Sequence, residues 1–146
     1  MPDLPLSRRD WLGLIARAPE TRLNALWPAD APSFVWLRKP EVGSMMVQGR
    51  AGATGAAFNL GEVTVTRASV RLDCGTIGHA LVQGRDTHKA ERAALLDALL
   101  QTACGDRLQK DVLAALQAAE TEAGETRARR AAATKVDFFT MVRGEG

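Results

Sequence analysis

The chain has 146 residues and a mass of 15.7 kDa, which allows one domain with one core and excludes two independent ones; residues 1–146 are read as a single domain. Apolar residues at 46% and charged residues at 25% exclude an intrinsically disordered chain, and no apolar run approaches the roughly 18 residues of a membrane-spanning helix. A formal charge of +2, with three Trp, four Phe and no Tyr, leaves little material for base stacking, so neither a nucleic acid nor a membrane is an expected partner. The opening residues lack the apolar stretch of a secretory signal, and a cytoplasmic protein is expected.

In chain order, Ser7 or Asp10 can cap a first helix with Trp11, Leu14, Ile15 and Ala18 at helical spacing, before Pro19 interrupts it. A short helix over 20–27 follows. Ser33 to Leu37 reads as a strand because β-branched and aromatic residues dominate it. Pro40 and Gly43 then suggest a turn, and Ser44 to Arg50 a second strand. The glycine-rich stretch from Gly49 to Gly55 reads as a loop.

From Gly61 the alternation is clear, except that the apolar phase shifts near Arg67. That shift implies a β-bulge, or an arginine sharing the face of Val63 and Val65. Cys74-Gly75 suggests a two-residue hairpin loop that sets Leu72 opposite Ile77 and Val70 opposite His79. A return strand to Val82 precedes a helix capped by Asp86 or Thr87, running from His88 to about Cys104 and ended by Gly105. A second long helix covers 106–133. Helices at each end and hairpin-compatible strands between them predict an α+β fold, with an antiparallel sheet of about four strands packed against N-terminal and C-terminal helices.

Chemistry-bearing motifs are sparse. The loop containing Gly52 and Gly55 could present backbone N–H groups to an anion, but it lacks the order of a P-loop or dinucleotide turn. Arg50, Arg67, Arg71 and Arg85 cluster on strands or their ends, where guanidinium groups could bind phosphate or a partner's carboxylates. A solvated sheet face explains Arg71 as well. Asp86, Glu91 and Arg92 form a charged group at a helix start that capping and local ion pairs also explain. His79, in an apolar strand, reads as a core histidine, and no nucleophile, general base or metal site is assigned. Cys74 and Cys104 are expected to be reduced thiols. The tail with Asp137, Phe138, Phe139, Met141 and Arg143 is unusually apolar for a terminus and reads as a partner-docking segment.

Three separated motifs carry a family resemblance: Gly61 to Leu72, Gly84-Arg85-Asp86 with Ala90-Glu91-Arg92 and Leu96-Asp97-Ala98-Leu99, and Val136 to Gly144. With Trp11, they resemble the PhnG family, the G subunits of the bacterial carbon–phosphorus lyase system. The chain departs from the family pattern at Ala53 and Cys74. The resemblance implies an accessory subunit working with H, I, J and L proteins. Together the G, H, I and L proteins displace adenine from ATP with a phosphonate; later the J protein cleaves the C–P bond with an iron–sulfur cluster and S-adenosylmethionine. ATP is then a substrate of the assembly, and no cofactor is expected on this chain. The intrinsic nucleosidase chemistry lies, by that resemblance, in the I subunit. A stand-alone anion- or nucleotide-binding module is the alternative.

Overall fold

The computed structural model describes residues 5–28 and 32–136. Helix α1 (Arg8–Arg17) is capped by Ser7, whose hydroxyl accepts from the Asp10 backbone N–H and donates to the Asp10 carboxylate. The Asp10 N–H, one of the orphan donors of the helix start, is thereby satisfied. Trp11, Leu14 and Ile15 on α1 are buried, and the short α2 (Glu20–Ala25) adds Leu23.

Three strands, β1 (Phe34–Arg50), β2 (Ala57–Leu72) and β3 (Ile77–Gln83), form an antiparallel sheet in the order β1-β2-β3. The described residues form three strands and not four, because the two strands expected at 33–37 and 44–50 are one: β1 runs without a break through Pro40 and Gly43. Proline is tolerated there because β1 is an edge strand, where a missing N–H can face away from the neighbouring strand. The price is local irregularity: pairing slips between Trp36 and Arg38 and again between Arg38 and Glu41. Each slip is an extra residue in β1, so the bulge expected in β2 near Arg67 lies in its neighbour. Strand β2 keeps an unbroken register with β3.

The β2–β3 loop also differs from expectation. Leu72 N–H donates to Thr76 O, and Gly75, at φ +89, donates to Leu72 O. The loop therefore holds three residues, Asp73 to Gly75, as a turn followed by a left-handed glycine. Pairing consequently shifts by one, to Arg71 with Ile77 and Ser69 with His79. Because side chains alternate, this puts Thr66, Ala68, Val70, Leu72, Ala80 and Val82 together on the buried face.

Helix α3 (Thr87–Leu100) lies on that face, its N-terminus capped by Asp86 through Lys89 N–H at 2.8 Å. It approaches so closely that a Cβ on Gly78 would collide with the Ala94 carbonyl oxygen and stand 2.6 Å from Ala98 N. Ala90, Ala93, Ala94 and Ala98 make the approach possible by being small, and all are buried. The helix ends at Leu100, short of Cys104. Gly105 begins α4 (Gly105–Leu108) instead of ending α3; a π-helical turn, Gln109–Leu113, then leads into α5 (Ala114–Ala133). The Gln109 side chain accepts the Leu6 backbone N–H at 2.7 Å, tying the N-terminal segment to the π turn. Beyond Leu116 helix α5 buries nothing. No helix among the described residues is long and apolar enough to cross a membrane.

Candidate functional site

The sheet face opposite α3 carries the densest group of chemistry-bearing side chains. Strand alternation puts Arg67, Ser69 and Arg71 of β2 on this outer face. Their cross-strand partners are Glu41, Arg38 and Val35 on β1, and Leu81, His79 and Ile77 on β3. Directly paired residues sit about 5 Å apart, so Arg38, Ser69 and His79 form a row across the sheet with Arg67 and Arg71 on either side. This resolves the apolar phase shift: Arg67 shares the face of Val63 and Val65, while Thr66 takes the core position and donates its hydroxyl to Gly84 O at 2.7 Å.

Glu41 links two of the cations, meeting Arg38 Nη1 at 2.7 Å and Arg67 Nε at 3.4 Å. The Arg38 hydrogen bond, reinforced by the Arg67 charge, holds the Glu41 carboxyl below its ordinary value. Arg71 is exposed and makes no ion pair or hydrogen bond among the described residues. His79 is not a core residue: it is exposed, and its Nδ1 lies 2.8 Å from Ser69 Oγ. A hydroxyl beside an imidazole is the first half of a nucleophile–base arrangement. No third group orients the other ring nitrogen among the described residues, so the pair can bind an oxygen ligand but lacks the rest of a catalytic constellation.

The remaining candidates lie elsewhere. Arg50, Gly52 and Gly55 stand at the far tip of the β1–β2 hairpin, ten residues along β2 from Arg67, or about 33 Å. One chain therefore cannot combine that loop with Arg67 and Arg71 in a single site. The loop is closed on itself, with Gly55 N–H donating to Ala51 O and Arg50 Nη1 to Gly55 O, both at 3.0 Å. Arg85 is exposed in the turn before α3, and Asp86 is its cap. Glu91 and Arg92 follow on α3; Arg92 lies over the Trp27 ring at 5.6 Å, with a buried Nη1 that has no hydrogen-bond partner. Cys74 is exposed, and the Thr76 hydroxyl beside it draws its thiol below the ordinary value. Among the described residues no three of His, Cys, Asp and Glu gather as metal ligands. Asp137, Phe138, Phe139, Met141 and Arg143 lie outside the described residues.

Sequence reasoning quoted Asp97 only within a family motif and gave it no role, yet it is the best-connected polar residue of the fold. It is fully buried and accepts from Arg8 Nη2 at 2.8 Å, Arg8 Nε at 3.2 Å, Trp11 Nε1 at 2.9 Å and the His79 backbone N–H at 2.9 Å. The hydrogen bond to Asp97 raises the Arg8 guanidinium further above its already high ordinary value. This carboxylate fastens α1, α3 and β3 to one another directly behind the Ser69–His79 pair. Its signal was an acid within the run Ala93 to Leu100, where every other residue is Ala or Leu. Also missed was a cleft of about 650 Å³ between α1, α2 and α5, rimmed by Arg17, Arg22, Arg127 and Arg130 and crossed by the Arg17–Glu120 ion pair.

Comparison with known proteins places these features in a lineage. A family model described as "Phosphonate metabolism protein PhnG" matches residues 6–144. The alpha-D-ribose 1-methylphosphonate 5-triphosphate synthase subunit PhnG of Rhizobium meliloti (strain 1021) is 46% identical over 141 residues, covering 94% of this chain and 90% of that protein.

Proposed function

The chain belongs to the PhnG family, and from that premise we propose that it is an accessory subunit of a phosphonate-degrading carbon–phosphorus lyase assembly. In this reading it is needed, with partner subunits, to transfer the ribose triphosphate part of ATP to an alkylphosphonate with release of adenine. The observation that carries the reading is the 46% identity running across 94% of the chain and 90% of that relative. The partners are the H, I, J and L proteins of the system, in the cytoplasm.

The reaction breaks the bond between adenine and the anomeric carbon, forms one from a phosphonate oxygen to that carbon, and sends a proton out with adenine. It requires water to be kept from the same carbon. Holding two reactants in place and excluding water is work a neighbouring subunit can supply without a nucleophile of its own. The incomplete Ser69–His79 pair and the open, flat site fit such a role better than self-contained catalysis.

Reconstitution tests this. With ATP, methylphosphonate and the H, I and L proteins, addition of this chain should raise formation of the ribosyl phosphonate, followed by phosphorus NMR alongside adenine release. Equal turnover without the chain refutes the proposal. Removal of residues 137–146 should abolish co-purification with the partners while leaving the urea midpoint unchanged. A second reading, a stand-alone anion binder, draws on the unpaired Arg71 beside Arg67 and His79. Calorimetry of the isolated chain with ATP and with methylphosphonate separates the two: heat supports the binder, and its absence supports the subunit.

A further inference from the structure

The β1–β2 hairpin outruns the rest of the fold. Strand β3 ends its pairing at Val65, so β2 residues 57–64 and their β1 partners project as a two-stranded arm about 26 Å long. A lone two-stranded ribbon is at best marginally stable in water, and this one buries none of its residues. Its two faces differ in chemistry. Gln48 pairs with Asn59 and Arg50 with Ala57 on the face that continues the core side of the sheet, along with Ser44, Glu62, Thr64 and a single large apolar side chain, Met46, opposite Glu62. The other face carries Met45, Val47 and Val63. Phe58 and Leu60 join it, since the Cβ direction of Gly49 meets Phe58 Cζ and Leu60 Cδ1, both at 3.9 Å. Met45, Phe58 and Leu60 are 42%, 46% and 67% exposed.

This apolar strip continues into the outer sheet face, where Val35, Ile77 and Leu81 are also exposed around Arg38, Arg67 and Arg71. With Glu41 as the acid of this group, the far end of the surface is net positive. We infer that the outer face of the arm and sheet is a docking surface for a different polypeptide, one presenting an apolar ridge to Met45, Phe58 and Leu60 and carboxylates to Arg67 and Arg71. Charge decides against a second copy. Stacking two such faces in one direction sets guanidinium groups against each other. In the opposite direction it buries them against the partner's Met, Phe and Leu, desolvated and without acceptors. An acidic-edged partner meets both requirements at once.

The inference rests on the proposed subunit role, and its test separates the two. Association of the full chain with a co-expressed set of H, I and J proteins is measured for wild type, for the double variant Phe58→Glu/Leu60→Lys, for Arg67→Glu, and for Gln48→Lys on the polar face. The double variant should bind about 30-fold or more weakly, the loss typical of central interface anchors, with circular dichroism and urea midpoint unchanged. Arg67→Glu should slow association and flatten its salt dependence, while Gln48→Lys should bind as wild type does. Equal binding by the double variant overturns the docking surface and leaves the subunit role standing; failure of wild type to associate overturns both. A wild-type dimer that the double variant dissociates, with partner affinity intact, assigns the face to self-association and overturns the inference. So does ATP binding by the isolated chain that is lost in Arg67→Glu.

Discussion

Replacing Asp97 by alanine should be among the most damaging single changes to the fold. The substitution leaves Trp11 Nε1 and the His79 N–H, each bonded to Asp97 at 2.9 Å, without an acceptor in the interior. An unsatisfied buried donor costs about 1–3 kcal/mol. Arg8, whose side chain is 43% exposed, can turn to water and adds little. Relief of a buried charge offsets part of the loss, and the empty space behind His79 adds to it. A net destabilisation of about 3 kcal/mol follows, in line with removing one partner from a buried ion pair. Against a total stability of about 5–15 kcal/mol, that is a large fraction. With a urea m-value of about 2 kcal/mol per molar, the unfolding midpoint should fall by about 1.5 M, read by tryptophan fluorescence. Asp97→Asn, which keeps one acceptor oxygen but turns amide hydrogens toward the same donors, should fall between alanine and wild type. A midpoint shift below about 0.5 M for Asp97→Ala would mean that the carboxylate is not the clasp described here.

Other substitutions probe separate parts of the fold. Gly78→Ala drives a Cβ into the Ala94 carbonyl and Ala98 and should destabilise by about 1–3 kcal/mol or more by overpacking, seen as a lower thermal midpoint; a neutral result would show that α3 can lift from β3 freely. Gly124→Ala meets no atom within 4 Å and should stabilise α5 by about 1 kcal/mol, measured by urea unfolding. The Arg17 hydrogen bond holds the Glu120 carboxyl below its ordinary value. The folded state therefore releases that proton more readily than the unfolded chain, so the pair's stabilisation is complete above the ordinary carboxylate range and lost as pH falls through the lowered value. Glu120→Gln should remove that part of the acid sensitivity, a change within the about 0.2–1 kcal/mol of exposed pairs, visible as a smaller difference in urea midpoint between pH 6 and pH 3.

Much of the fold was legible because local signals and tertiary needs agreed. Ser7 before a helical spacing of Trp11, Leu14 and Ile15 located α1, and Asp86 located the start of α3. Pro40 misled because its meaning depends on strand order: on an edge strand or at a bulge its missing N–H can face away from the ladder, whereas the same residue between two neighbours would end the strand. The hairpin loop differed by a single residue, yet that residue decided which side chains face the core, since the period of a strand is two. The α+β class survived both errors because it depends on the number and order of elements more than on their edges.

The candidate surface was legible only in part. Arg67 stood out by breaking an apolar register, and the reason is now plain: Thr66 replaces an apolar residue on the buried face by donating to Gly84 O. Arg38 and Glu41 were hidden because the register slips of β1 determine which of its residues face Arg67. His79 looked internal because the strand's alternation was assigned one residue out. Asp97 joins residues 86 and 89 positions away in sequence, a contact no local pattern encodes.

The outer rim of β1 bears on how this protein behaves when its companions are scarce. A long unpaired strand invites a neighbour's strand to extend it and so begin a fibril. Between Trp36 and Glu41 the slips in pairing and the missing amide hydrogen of Pro40 spoil that template. From Val42 to Val47 the ladder to β2 is regular and no proline intervenes, so overproduced, orphaned chains should begin to aggregate there. Restoring amide continuity with Pro40→Thr should shorten the lag before thioflavin-positive material forms.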